Sequence, residues 1–190
     1  MVTLREVTFG LYGAWRLARL DRTAMTWFDR SVMGAWHSFW SAAICFPGFV
    51  ILQLIQLSGA QIGAGDLIRF LVVASISYVI GWTAYPLTAL PFCRRFATEE
   101  RALGFIIAYN WSQALQTALV LAVTVIGALH LFPDYVVAYA ETVSYIAILV
   151  YEWFIARIAL EASGLAATAL VLLDVVLTAL LTQATMMLAG

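Results

Sequence analysis

The chain has no lysine: all ten of its cationic side chains are arginines, set against eleven acids. Charge of either sign is scarce, at 11% of residues. Soluble domains carry about 25%. There are only two cysteines and four prolines. Each shortage excludes something. With 64% hydrophobic residues and a mean hydropathy of +0.93, a soluble fold would have too much apolar surface to hide, whereas lipid covers it. A net charge of −1 implies no nucleic-acid-binding surface. Without lysine, and with no strand before them, Gly59, Gly63 and Gly65 fit no phosphate-binding frame. No HExxH, CxxC or nucleophile-elbow spacing occurs, and His37 and His130 fall at opposite ends of their segments. No metal, cofactor or catalytic residue is therefore expected. Cys45 lies inside an apolar run and Cys93 at the end of another, so both read as free thiols.

What is present is a series of long apolar runs. Five reach the roughly 20 residues needed to cross about 30 Å of hydrocarbon. They are Val32–Leu57, Leu67–Phe92, Ala102–His130, Val136–Leu160 and Leu165–Ala189. Lipid offers the backbone no hydrogen-bond partner, so each must be helical. Pro47-Gly48 predicts a kink in the first, and the second contains Pro86 and Pro91. The intervening loops are too short to hold a soluble domain. The expected fold is an all-α integral membrane bundle of five transmembrane helices, spanning residues 32–190. Residues 1–31 precede it as an amphipathic interfacial segment. Within that segment Leu4, Val7, Leu11 and Trp15 recur at helical spacing on one face, with Arg5, Arg16 and Arg19 beside them. Such a stripe with flanking arginines suits the membrane interface. Charged residues throughout positions 1–23 leave no strong signal-peptide core, so the chain is expected to be retained whole.

The arginines give the bundle a direction. Arg5, Arg16, Arg19, Arg22 and Arg30 precede the first span; Arg94, Arg95 and Arg101 separate the second and third; Arg157 ends the fourth. Only Arg69 lies on the other side. Positive charge stays cytoplasmic, which predicts an N-terminus inside and a C-terminus outside. An all-arginine chain rich in Ala, Leu and Val suits a bacterial source, and hence the inner membrane. All seven tryptophans map to the same half. Trp15, Trp27, Trp36 and Trp40 form the expected interfacial belt, with Trp82, Trp111 and Trp153 packed deeper. Small residues every four positions, Gly34-Ser38-Ala42 and Gly104-Ala108-Ser112, predict close helix contacts.

Counting inward from the arginine-rich side at about 1.5 Å per residue places Glu152 and Asp174 roughly 12–14 Å deep. Asn110 and Tyr85 fall at the same level. A polar layer of Tyr85, Asn110, Glu152 and Asp174 follows, extended by Thr178, Thr182 and Thr185 along one helix and by Gln113, Thr117 and Thr124 along another. Tyr-Asn-Trp at 109–111 and Tyr-Glu-Trp at 151–153 frame it. A carboxylate at a helix centre costs about 2.5–3.5 kcal/mol, so it must be offset or neutral. Arg157, five residues below Glu152, is the candidate counter-ion. The layer reads either as a proton or cation site on a transport path or as a hydrogen-bonded cluster that fixes helix packing.

The topology, a polar N-terminal segment followed by five closely spaced spans with the C-terminus across the membrane, resembles the YIP-type family of Rab-interacting membrane proteins. That resemblance covers layout alone and transfers no residue. It implies membrane organisation or trafficking-type partner binding rather than catalysis. The expected partners are the lipid bilayer and a membrane protein or a second copy of the chain. The sequence thus supports a non-catalytic accessory, scaffold or assembly component in the bilayer. The alternatives are a small transporter or proton/cation-conducting protein, and a lipid-acting enzyme built on Glu152 and Asp174.

Overall fold

The computed structural model describes residues 2–58 and 63–189. Gly59, one of the three loop glycines, lies outside them. The architecture is all-α, and five of its helical segments are long and apolar enough to cross a membrane.

Helix α1 (Leu4–Ala18) starts at a capping box. Thr3 Oγ1 accepts the Glu6 N–H at 3.3 Å, and Glu6 Oε2 accepts the Thr3 N–H at 2.7 Å. Two otherwise unpaired donors are satisfied reciprocally. Leu20, at φ 59°, ends the helix in the left-handed region. An Arg16–Asp21 ion pair braces this corner, and a 3-10 segment (Arg22–Trp27) continues from it. Short helix α2 (Val32–Ser38) begins at Ser31, whose hydroxyl accepts the Gly34 N–H at 3.0 Å, an N-cap bond. Then follow α3 (Trp40–Leu57), α4 (Ala64–Cys93), α5 (Glu99–Ala128), α6 (Asp134–Leu160) and α7 (Gly164–Ala189). The last four match the predicted spans to within a few residues. Thr98 caps α5, and Glu99 and Glu100 in its first turn favour its dipole.

The first span keeps its predicted bounds, Val32–Leu57. Its helix is interrupted at Phe39, between α2 and α3, and α3 stays helical through Pro47. A Cβ on Gly34 would collide with the Asp29 carbonyl oxygen, so the chain entering α2 passes Gly34 at close range. Gly34 therefore serves the entry to α2. Gly104, in the other small-residue stripe, faces Arg30 and Met25 of the N-terminal segment.

Helix α5 is the hub, packing on α1, α2, α3 and α6. Helices α4 and α7 form a second pair, joined to the first group chiefly through the α6–α7 hairpin. The densest core is at the arginine-rich end, where α5 is buried without a break from Ala102 to Ser112. Helix α1 covers this end, but the predicted apolar stripe is not its buried line. Val7 and Leu11 pack against the core, while Leu4 and Trp15 stay exposed at 88% and 44%. The buried line is Gly10, Gly13, Ala14 and Leu17. Glycines win here because large partner rings need the room. A Cβ on Gly10 would lie 2.4 Å from the Trp111 indole, and one on Gly13 would lie 2.7 Å from the Phe28 ring. The Tyr151 hydroxyl donates to the Ala14 carbonyl at 2.6 Å and locks the contact.

Trp27 is half-buried, edge-on to the exposed Tyr12 at 4.7 Å. One tryptophan departs from the predicted placement. Trp153 is exposed, and its indole N–H donates to the Thr168 hydroxyl at 3.2 Å across the α6–α7 hairpin.

Candidate functional site: carboxylates in a cleft between α4, α5, α6 and α7

The α4–α7 pair stands off from α3, α5 and α6, and two cavities fill the gap. One, of about 340 Å³, lies between α3, α4, α5 and α7. The other, of about 620 Å³, lies between α5, α6 and α7. Five residues line both: Tyr109 and Gln113 from α5, and Asp174, Thr178 and Thr182 from α7. The two spaces are thus the two sides of one ridge. Residues 174, 178 and 182 recur every four positions, so one face of α7 supplies its half of the ridge.

At the inner end of the ridge the Tyr109 hydroxyl donates to Asp174 Oδ1 at 2.7 Å. The Tyr85 ring packs on Tyr109 with centroids 4.3 Å apart, and its hydroxyl donates to the Leu170 carbonyl at 3.3 Å. Glu152, 5% exposed, lines the larger cavity together with Asp174, Gln113 and Gln116. Among the described residues, no arginine or histidine pairs with either carboxylate.

Tyr85, Glu152 and Asp174 are thus gathered at this cleft, and Asn110 is not. Asn110 is fully buried on the far side of α5, where its Nδ2 donates to the Ser38 hydroxyl of α2 at 2.8 Å. Counting rise alone put it in the layer, but successive helical residues are rotated by about 100°. Tyr109 faces α7, Asn110 faces α2, and Trp111 faces Gly10 of α1. The second tripeptide splits in the same way: Tyr151 meets α1, Glu152 the cleft and Trp153 the outer surface. Neither is a polar centre walled by its own neighbours. Thr117 also leaves the cleft, packing within 3.1 Å of where a Gly48 Cβ would be. Arg157 is not a counter-ion in this arrangement. Its Nη1 donates to the Ala162 carbonyl at 2.7 Å, and its guanidinium lies 5.5 Å from the Trp153 ring centroid.

Several cleft residues carried too little sequence signal to be singled out. Tyr109 read only as a flank of Asn110. Gln53 and Gln56 line the smaller cavity. They stand three apart in an apolar run, and that pairing in a lipid-facing segment was the available clue. The contact of Glu6 Oε1 with His37 Nδ1 at 2.9 Å joins residues 31 apart and had no local signature.

Compared with known proteins, the chain matches no family model, no curated protein and no solved structure.

Proposed function

We propose that this chain is an integral membrane protein that binds a cation at the Asp174–Glu152 cleft and conducts it along the α5–α7 ridge. The observation that carries this is two acidic side chains facing one cavity with no cationic side chain, among the described residues, paired to either. A charge left alone in a low-dielectric interior is strongly unfavourable, so a proton or another cation must accompany it. Polar groups continue from Asp174 along α7 through Thr178 and Thr182 to Thr185, toward the end where Arg69 bonds to the Leu188 carbonyl. The arginine distribution supports an N-terminus in the cytoplasm. The outer face of α1 exposes Leu4, Tyr12 and Trp15, and the Arg19 guanidinium lies 4.7 Å from the Trp15 ring centroid. That face suits the membrane interface.

The test is reconstitution in liposomes with imposed gradients of protons, sodium or an organic cation, read by a pH-sensitive dye, a sodium-sensitive dye and uptake of the radiolabelled organic cation respectively. Protein-dependent flux of any of these supports the reading. A folded protein that moves none of them sinks it and favours the accessory or scaffold role, for which a stable complex from native membranes is the positive sign.

A further inference from the structure

The inner part of the smaller cavity is walled by aromatic rings. On α4, Tyr78, Trp82 and Tyr85 all line it. They are spaced four and three apart, so they share one helix face. Phe49 from α3 and Tyr109 from α5 join them. The rings are mutually packed: Phe49 to Tyr78 at 4.6 Å, Tyr78 to Trp82 at 6.0 Å and Tyr85 to Tyr109 at 4.3 Å between centroids.

The tyrosine hydroxyls are already committed. Tyr78 donates to the Ala42 carbonyl at 2.7 Å, Tyr85 to Leu170 and Tyr109 to Asp174. What these three side chains leave to a ligand is π surface, next to the Asp174 carboxylate and the neutral oxygens of Gln53, Gln56 and Gln113. An ammonium group with carbon substituents takes one negative charge and aromatic rings against its methyl or methylene groups. The cavity volume is about 340 Å³. That is at the small end of the range for organic ligands, about 300–1,000 Å³.

We infer that the Asp174 cleft takes small organic ammonium ions as its cation. This rests on the cation-binding reading above and names its substrate class.

The test uses choline and its uncharged isostere 3,3-dimethylbutan-1-ol, titrated calorimetrically into the full chain in nanodiscs. Saturable choline binding is expected, with little binding of the isostere. Trp82→Leu should weaken choline about tenfold, and Asp174→Asn about a hundredfold. Melting temperature checks that both variants fold. If Asp174→Asn does not, the isostere comparison on the unaltered chain and Trp82→Leu still decide. Equal binding of choline and isostere, or choline binding unchanged by Trp82→Leu, overturns the inference. Sodium or proton flux that depends on Asp174, without choline binding, overturns it and leaves the cation-conduction reading standing. A folded chain with neither flux nor binding removes both.

Discussion

Tyr109 of α5 donates its hydroxyl to Asp174 of α7 at 2.7 Å, and this bond joins the two helix groups of the bundle at the inner end of the cleft. It also fixes where the carboxylate points. Tyr109→Phe keeps the ring against Tyr85 and removes only the donor. A buried hydrogen bond contributes about 0.5–1.5 kcal/mol, so the melting temperature should fall measurably. Because Asp174 would lose an oriented partner, cation binding should change as well. A variant that melts and binds like the parent would show that the bond positions nothing.

Gly10 admits the Trp111 ring beneath α1, at a distance where any Cβ collides. Gly10→Ala should therefore lift α1 from α5. Overpacking of this kind costs about 1–3 kcal/mol. Proteolysis or hydrogen exchange of residues 4–18 should rise while the rest of the bundle keeps its protection. Unchanged protection would mean that α1 docks by some other line.

Much of this was legible before the structure. The number of spans follows from apolar length, and so do their ends to within a few residues. The shared level of Tyr85, Glu152 and Asp174 follows from helix rise. Rotation was not legible. Asn110 and Tyr109 sit on one turn, and only the packing of α5 between α2 and α7 decides which of them meets Asp174. The docked face of α1 was hidden for a related reason. Hydrophobic periodicity points to a face for the membrane interface, where Leu4 and Trp15 are exposed, whereas the contact with the bundle is made by Gly10 and Gly13, whose value lies in what they omit.

The N-terminal corner carries a pH dependence. The Glu6 carboxyl is held down at about 2 from an ordinary 4.5, first by the Thr3 backbone N–H, then by the Thr3 hydroxyl and His37. Asp21 is held at about 2 from 3.8 by the Thr23 hydroxyl and N–H and by Arg16. Both native values lie below the unfolded ones, so the undocked form binds protons more readily. Their stabilisation is complete above about pH 4.5 and is lost as pH falls toward 2. Protection of α1 amides, relative to their intrinsic exchange rate at each pH, should fall across that window and stay level above it. Steady protection down to about pH 2 would contradict the assignment.

Orientation has a direct check. Leu131, 69% exposed, lies at the end remote from the arginines, and Ser163 lies at the arginine-rich end. Both native cysteines are buried. In intact cells Leu131→Cys should react with a membrane-impermeant maleimide, and Ser163→Cys should react only after lysis. The reverse pattern would invert the topology.

Whether Asp174 and Glu152 serve a moving cation is tested most directly by cation and proton flux into liposomes. These contain the parent chain, Asp174→Asn, Glu152→Gln and, as a control, Arg157→Gln. Flux is expected in the parent, with its loss in Asp174→Asn and a reduction in Glu152→Gln. No change is expected in Arg157→Gln, whose guanidinium faces Ala162 and Trp153. Full flux in a folded Asp174→Asn variant, or none in the parent, would contradict the cation role.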